Sequence, residues 1–167
     1  MNLVREISEK KNLLLRKQNI YSLLLISLIF GLDRFSKIKI LNNFSDNTYF
    51  VSNYINLDLI WNTGIGFGLL SSDSNVIYNV ITIIIFLVIL ILFYLAAVSR
   101  KLDNIIFSII IGGALGNLYD RLFYSAVPDF IDLHYENLHW FTFNLADIFI
   151  TLGIITFIAK DFFVINK

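Results

Sequence analysis

Long apolar segments alternate with short polar ones along this chain, and several are long enough to cross a bilayer. The clearest is residues 76–98. Residues 105–122 are apolar first and polar later, whereas residues 145–164 show the reverse. A fourth segment, residues 20–40, is apolar as far as Leu32 and then becomes charged. Because a transmembrane helix needs about 20 mostly apolar residues, the pattern predicts a membrane all-α bundle of four transmembrane helices.

Residues 41–75, between the first two predicted helices, follow another pattern. Ile55, Leu57, Leu59 and Trp61 alternate with Asn56, Asp58, Ile60 and Asn62. A period of two is typical of a β-strand. A glycine-rich bend follows at residues 62–68. We therefore expect a small extracytoplasmic β-sheet between helices 1 and 2, with the aromatic-rich loop 123–144 packed on it.

The distribution of lysine and arginine predicts the orientation of the bundle. Basic residues stand before the first span, between the second and third, and at the end of the chain: Arg5, Lys10, Lys11, Arg16, Lys17, Arg100, Lys101 and Lys167. Residues 41–75 and 123–144 contain none. Since short basic loops stay in the cytoplasm, we expect a multi-pass protein of the cytoplasmic (inner) membrane with both termini cytoplasmic.

The composition narrows the functional classes. Apolar residues make up 57% of the 167 residues, against roughly 45–50% in soluble domains, and the length fits one domain over residues 1–167. The formal net charge is zero, so there is no basic excess that would indicate a nucleic-acid partner. Cysteine is absent, which excludes thiol nucleophiles, and the two histidines argue against a histidine-rich metal site. We expect neither a metal nor a cofactor.

Charged and amide residues gather at the ends of the spans that are predicted to face outward. They are the charged residues from Asp33 to Lys39 (Asp33, Arg34, Lys37 and Lys39), then Asn117, Asp120, Arg121, Asn144 and Asp147, together with Asp129 and Asp132 in the loop before the fourth span. Charges in a membrane are costly and usually face a protein interior. The sequence therefore predicts that these side chains meet near the outer face of the membrane.

Spacing alone favours structural roles for most of these residues. Asp33 and Lys37 are four residues apart, which permits an ion pair on one helix face. Asn117, Asp120 and Arg121 share a helix end, where we expect a buried network that includes an Asp120–Arg121 ion pair.

Two aspartates also suggest chemistry. By spacing, Asp147 stands at the third position of a helix whose cap is Asn144, which favours a capping box, and Asp129 follows Pro128 in a loop. Two carboxyls held close in a low-dielectric site share one proton. One can then activate water while the other donates to a substrate carbonyl.

Five short motifs follow one another along the chain. They are LDRFSK (Leu32–Lys37), NTGIGFG (Asn62–Gly68), GGALGNLYDR (Gly112–Arg121), VPDF (Val127–Phe130) and FNLAD (Phe143–Asp147). In sequence and order they resemble the motifs of signal peptidase II, the bacterial lipoprotein signal peptidase family of aspartic peptidases with four transmembrane helices. The chain departs from that family's pattern at Arg34, where glutamine is frequent, and at Gly66, where alanine is common.

The resemblance implies a function and a site. Asp129 and Asp147 would be the catalytic dyad, surrounded by substrate-binding and supporting residues: Asp33, Lys37, Asn62, Gly64, Gly113, Asn117, Asp120, Arg121, Asn144 and Ala146. The implied substrate is a prolipoprotein that carries diacylglycerol on its lipobox cysteine and is cleaved on the amino side of that cysteine. A monomer surrounded by membrane lipid, and sensitivity to globomycin, are also implied.

Two other functions compete with this one. A non-enzymatic polytopic membrane protein, such as a transporter or assembly factor, is compatible with four spans and intramembrane charges. The order and specificity of the motifs favour the peptidase. An intramembrane aspartic peptidase of the G-x-G-D type is disfavoured, because the sequence contains no such motif.

Overall fold

Four long helices and four strands are present in the computed structural model, which describes residues 16–44, 48–64 and 75–165. In chain order they are α1 (Lys17–Asn43), β1 (Tyr49–Phe50), β2 (Ile55–Asn62), α2 (Asn75–Val98), α3 (Lys101–Tyr124), β3 (Val127–Tyr135), β4 (Leu138–Phe143) and α4 (Leu145–Ile165). Each predicted span lies within one helix, and α1 and α3 extend several residues beyond the predicted limits.

Helix α3 is the centre of the bundle, in contact with α1, α2 and α4. The buried apolar core joins its first half to the neighbouring helices through Ile26, Ala96, Ile106, Phe107, Ile110 and Ile111. Helix α2, by contrast, exposes large apolar side chains along most of its length, among them Val76, Ile83 and Tyr94. An outward apolar surface of this kind is what lipid contact requires.

Among the described residues, two helices are long and apolar enough to cross a membrane by length and composition. They are Val76–Val98 in α2 and Lys101–Tyr124, which is α3.

A buried polar network fixes α1 against α3 at the end of the bundle away from the sheet. Asn104 donates from Nδ2 to Asn19 Oδ1 at 3.0 Å and to the Ala96 carbonyl at 2.8 Å. The Ser22 and Ser108 hydroxyls are also in contact. Because each polar group needs its partner in this buried setting, the network restricts rotation of the helices and thereby sets which residues face the site.

The sheet has the order β1-β2-β3-β4, with every pair antiparallel. The prediction of a sheet built only between helices 1 and 2 is wrong, because β3 and β4 come from the segment between α3 and α4. Strand β3 follows α3 directly, and β4 ends at Phe143, immediately before α4. The sheet is thus covalently tied to the ends of two helices that carry site residues.

A bulge interrupts β2 opposite the candidate site. Leu57 pairs with Ile131 and Ile60 pairs with Asp129, so three steps along β2 match two along β3. The strict alternation that was expected through Trp61 is therefore broken. Bulges re-aim side chains and are frequent beside active sites.

Candidate active site

Asp129 and Asp147 reach the same buried site from different elements. Asp129 is the third residue of β3, and Asp147 lies in the first turn of α4. Their exposed fractions are 2% and 9%. The sharp connection at Asn144, between the end of β4 and the start of α4, brings the two elements together.

Asn144 bridges the two carboxylates. Its Nδ2 donates to Asp129 Oδ1 at 2.6 Å, and its backbone N–H donates to Asp147 Oδ2 at 3.2 Å. In return, the Asp147 backbone N–H donates to Asn144 Oδ1 at 3.1 Å. The predicted capping box is therefore confirmed, and the same residue that caps the helix also contacts the second carboxylate.

Two further amides complete the support of the carboxylates. Asn62 Nδ2 donates to Asp129 Oδ2 at 2.8 Å, and Asn117 Nδ2 donates to Asp147 Oδ1 at 2.8 Å. Each of the four carboxylate oxygens thus accepts one hydrogen bond, whereas a carboxylate has about four lone-pair sites. Acceptor capacity remains for water or substrate.

The orientation of all three amides follows from their other partners. Asn62 Oδ1 accepts from the Gly64 N–H at 2.8 Å, and Asn144 Oδ1 accepts from the Asp147 N–H. Asn117 Oδ1 accepts from Lys37 Nζ at 2.8 Å. Because an ammonium group and a backbone N–H can only donate, each amide oxygen faces its donor and each NH₂ group faces a carboxylate.

Lys37 connects the candidate dyad to a buried ion-pair cluster. Besides Asn117, its Nζ contacts Asp120 Oδ2 at 2.7 Å and Asp33 Oδ2 at 3.0 Å. The predicted Asp33–Lys37 pair is therefore present. Three acceptors match the three N–H donors of the ammonium group, so this fully buried cation is satisfied.

Arg34 also belongs to this cluster, although the sequence placed it only among the charges near the outer end of the first span and not among the site residues. Its Nη1 and Nη2 contact Asp120 at 2.6 and 2.8 Å, and Nη2 contacts Asp33 at 3.1 Å. The guanidinium also stacks over Tyr119, 4.8 Å from the ring centroid. The cluster therefore contains two cations, Lys37 and Arg34, and two anions, Asp33 and Asp120, so its charges balance. The sequence signals for Arg34 were its position beside Asp33 and its departure from the family's pattern.

Arg121 does not form the expected ion pair with Asp120. Its Nη2 donates to the Gly64 carbonyl at 2.7 Å and its Nη1 donates to the Asn117 carbonyl at 3.3 Å. Among described residues Arg121 has no salt bridge within 4 Å. Asp120 and Arg121 are adjacent on α3, so they point about 100° apart around the helix. Arg121 thus tethers the loop after β2, while Asp120 faces α1.

Two glycines of α3 allow its neighbours to approach. A Cβ at Gly113 would lie 2.6 Å from the carbonyl oxygen of Ala146, which is fully buried at the start of α4. A Cβ at Gly116 would collide with the Asp33 carboxylate. Asp33 Oδ1 in turn accepts from the Ala146 N–H at 3.1 Å, so it ties α1 to the first turn of α4.

Asp132, which was expected near the other charges, lies apart from the candidate dyad. It is three residues from Asp129 in β3, and residues an odd number apart face opposite sides of a strand. Its Oδ2 is 2.7 Å from His139 Nδ1 on β4.

Residues 65–68 of the NTGIGFG motif lie outside the described residues, so only its Asn62–Gly64 portion is located.

The electrostatics of Asp129 suit proton exchange. Burial and, to a smaller extent, the charge of Asp147 raise its pKa to about 6, although hydrogen bonds from Asn62 and Asn144 oppose the rise. At near-neutral pH such a carboxyl can hold or release a proton. An adjacent pair of this kind can act as one acid and one base.

Comparison with known proteins identifies the family. The model of the signal peptidase (SPase) II family matches residues 25–163. The chain is 46% identical over 154 residues to a lipoprotein signal peptidase of Pelagibacter ubique (strain HTCC1062), covering 90% of this chain and 93% of that protein. It is 40% identical over 151 residues to the one from Anaplasma phagocytophilum (strain HZ), covering 87% and 94%.

A solved structure shares the architecture. A bacterial membrane enzyme determined by the in meso method at 2.3 Å resolution superposes with a TM-score of 0.72 and 25% sequence identity, covering 84% of this chain and 86% of that one. The candidate dyad lies within the residues that the family model matches. The chain is thus a bacterial membrane protein, and it belongs to the signal peptidase II family of proteases.

Proposed function

We propose that this protein is an aspartyl endopeptidase that removes signal peptides from diacylglyceryl-modified prolipoproteins, cleaving on the amino side of the lipidated cysteine. The observation that carries the proposal is the pairing of two buried carboxylates, Asp129 and Asp147, through Asn144. Family membership supports the substrate class and weighs against a transporter or assembly factor.

The proposed reaction uses one water molecule and one shared proton. The ionised carboxyl takes a proton from the water molecule while the water oxygen attacks the scissile carbonyl carbon. At the same time the protonated carboxyl donates its proton to the carbonyl oxygen. When the tetrahedral intermediate collapses, the C–N bond breaks, the protonated carboxyl donates to the leaving cysteine amine, and the other carboxylate takes a proton from a hydroxyl of the intermediate as the new carboxyl group forms. The dyad then again holds one proton. Either aspartate can begin as the base, since the proton belongs to the pair.

The surrounding residues would hold the dyad rigid during this exchange. Asn62, Asn117 and Asn144 fix the carboxylates by their amide donors. Lys37 orients Asn117 and also adds a positive field. Preorganised dipoles of this kind need no rearrangement at the moment of reaction.

We further propose that all four helices span the membrane as one domain over residues 1–167. Helices of 21 to 27 residues are about 31 to 40 Å long, enough for a hydrocarbon core of about 30 Å. Of the charges in the second half of α1, Asp33 and Lys37 are fully buried, Arg34 is paired with Asp33 and Asp120, and Lys39 is exposed near the helix end at Asn43. Lys160 of α4 is paired with Asp103. The paired charges of α1 and α4 therefore have protein partners, and Lys39 lies near the outer interface, where a lysine side chain can reach water.

In this arrangement both termini are cytoplasmic and the dyad lies near the outer face. A signal peptide is itself a membrane helix, so its cleavage site reaches the outer interface, and the diacylglyceryl group anchors the cysteine at that depth. A monomer contains every residue that the proposal uses.

The experiment is a gel-shift assay with purified protein in detergent, using one prolipoprotein with and without prior diacylglyceryl transfer. We expect cleavage of the lipidated form only, with a new N-terminus at the modified cysteine. Equal cleavage of both forms would contradict the substrate assignment. No cleavage by folded protein would contradict the function.

A further inference from the structure

An apolar groove lies beside Asp147, between the last residues of β4 and the outer turns of α4. Its volume is about 280 Å³, and its walls are Phe141, Phe143, Asp147, Ile148, Thr151 and Leu152. None of the asparagines that hydrogen-bond to the dyad carboxylates lines this groove. The mechanism proposed above gives the groove no role.

The groove follows α4 from the candidate dyad towards the middle of the bundle. Its helical wall extends from Asp147 to Leu152, a rise of about 7 to 8 Å at 1.5 Å per residue. Asp147 is the only charged group in the wall, and it stands at the end nearest the dyad. Leu152 is 54% exposed, and the similarly exposed Ile155 and Ile158 continue the apolar surface along the helix. The groove thus connects the dyad to the lipid-facing surface of α4.

We propose that this groove holds one acyl chain of the diacylglyceryl group on the substrate cysteine. The inference rests on the proposed function and deepens it, because it assigns residues that recognise the lipid. The chain would lie against Phe141, Phe143 and Ile148 and leave the groove past Leu152 into the bilayer. The cysteine that bears it would then be held beside Asp147.

The chemistry of the walls favours an acyl chain over a peptide segment. A peptide in the groove would bring N–H and C=O groups against phenylalanine, isoleucine and leucine side chains, where they would lack partners at a cost of several kcal/mol each. A helix of the signal peptide, about 10 Å across, would need more than the groove's volume of about 280 Å³ over the same length. A hydrocarbon chain has no polar group to satisfy, and it gains by burial of each methylene.

The proposal predicts that cleavage depends on the length of the acyl chains. With matched lipobox peptides that carry dihexanoyl- or dipalmitoyl-glyceryl cysteine, kcat/KM should be higher for the long-chain substrate. Thr151→Phe places a ring in the groove. It should lower kcat/KM for the dipalmitoyl substrate about tenfold, the loss expected when about two methylene groups are displaced, and affect the dihexanoyl substrate less.

Thr156→Phe is the matched control. Thr156 is an exposed threonine of the same helix, five residues further on and outside the groove, and its hydroxyl donates to the Leu152 carbonyl. For each substrate, kcat/KM of the variant is divided by that of the wild-type protein. This ratio cancels any difference in how the two substrates partition into detergent. Thr156→Phe should retain the wild-type preference for chain length. If Thr151→Phe does not fold, Leu152→Trp tests the same groove.

The outcomes separate this inference from the function on which it rests. A reduced chain-length preference in the groove variant, with the control unchanged, supports the proposal. Equal kcat/KM of wild-type protein for both substrates, or groove and control variants that behave alike, would overturn it while leaving the peptidase intact. Absence of cleavage by the wild-type protein would instead overturn the proposed function.

Discussion

At the scale of single residues, the site depends on asparagine amides whose direction is fixed by obligatory donors. Lys37 compels the Asn117 oxygen to face it, which turns the amide NH₂ group towards Asp147. The Gly64 N–H does the same for Asn62 on the side of Asp129. The carboxylates are therefore held by groups that cannot flip without losing a buried hydrogen bond.

The first prediction at this scale concerns pH. Burial and the charge of Asp147 raise the pKa of Asp129 to about 6, so the proton that the pair shares leaves as the pH rises through this region. Below the first ionisation of the pair, both carboxyls are protonated and no base remains. We expect a bell-shaped profile of kcat/KM whose alkaline limb has its midpoint near pH 6. A profile that stays flat from pH 6 to 9 would contradict a shared proton.

The second prediction ranks two buried cations. Lys37→Met leaves Asp33 and Asp120 short of a partner and frees Asn117 to flip, so it should cost about 3–5 kcal/mol. Arg121→Ala removes hydrogen bonds to two backbone carbonyls but leaves no carboxylate without an ion pair, so it should cost about 1–3 kcal/mol. Thermal unfolding in detergent measures both. Equal costs, or the reverse order, would show that the charge cluster is assigned wrongly.

Sequence reasoning located these residues better than it located their partners. The Asn144–Asp147 capping box and the Asp33–Lys37 pair are local, and spacing along one element predicts them. The partner of Arg121 and the place of Arg34 depend on how α1 and α3 are rotated against each other, which buried contacts 80 or more residues apart determine. No spacing within one helix contains that information.

At the scale of elements, the approach of α3 to its neighbours is set by small residues. Gly113 has no room for a Cβ beside the Ala146 backbone, whereas a Cβ at Gly31 in α1 would meet nothing within 4 Å. The two helical glycines thus form a matched pair for an experiment on helix packing.

We expect Gly113→Ala to lower the unfolding temperature and kcat/KM together, because α4 and Asp147 must move away from α3. Gly31→Ala should be neutral or stabilising by up to about 1 kcal/mol, the difference in helix propensity. Thermal unfolding and the cleavage assay measure both effects. A Gly113→Ala protein that matches wild type in both would refute close α3–α4 packing as a requirement of the site.

The helices were predicted because apolar runs of about 20 residues are a strong signal, whereas the sheet was predicted only in part. Strands β3 and β4 carry long aromatic-rich segments without a regular polar alternation, so their sequence suggested a packed loop. The pairing of β3 with β2 is a long-range contact, and β4 joins the sheet only through its pairing with β3. The bulge between Leu57 and Ile60 likewise depends on the partner strand.

At the scale of the whole molecule, the account requires the sheet and the dyad to lie outside the cytoplasm. The absence of native cysteine permits single-cysteine mapping. Asn137→Cys, in the exposed turn between β3 and β4, should react with a membrane-impermeant maleimide in intact cells. Ser99→Cys, in the connection between α2 and α3, should react only after permeabilisation. The opposite labelling pattern would show that the protein has the inverse of the predicted orientation.

The most direct test of the account compares three buried aspartates of the same chain. Asp129→Asn and Asp147→Asn should each lower cleavage of a diacylglyceryl-modified prolipoprotein about 10³-fold, within the range for loss of general acid–base catalysis, with the fold retained. Asp132→Asn, on the opposite face of β3, should cleave at near the wild-type rate. Cleavage at the wild-type rate by either dyad variant would contradict the assignment of Asp129 and Asp147 as the catalytic pair.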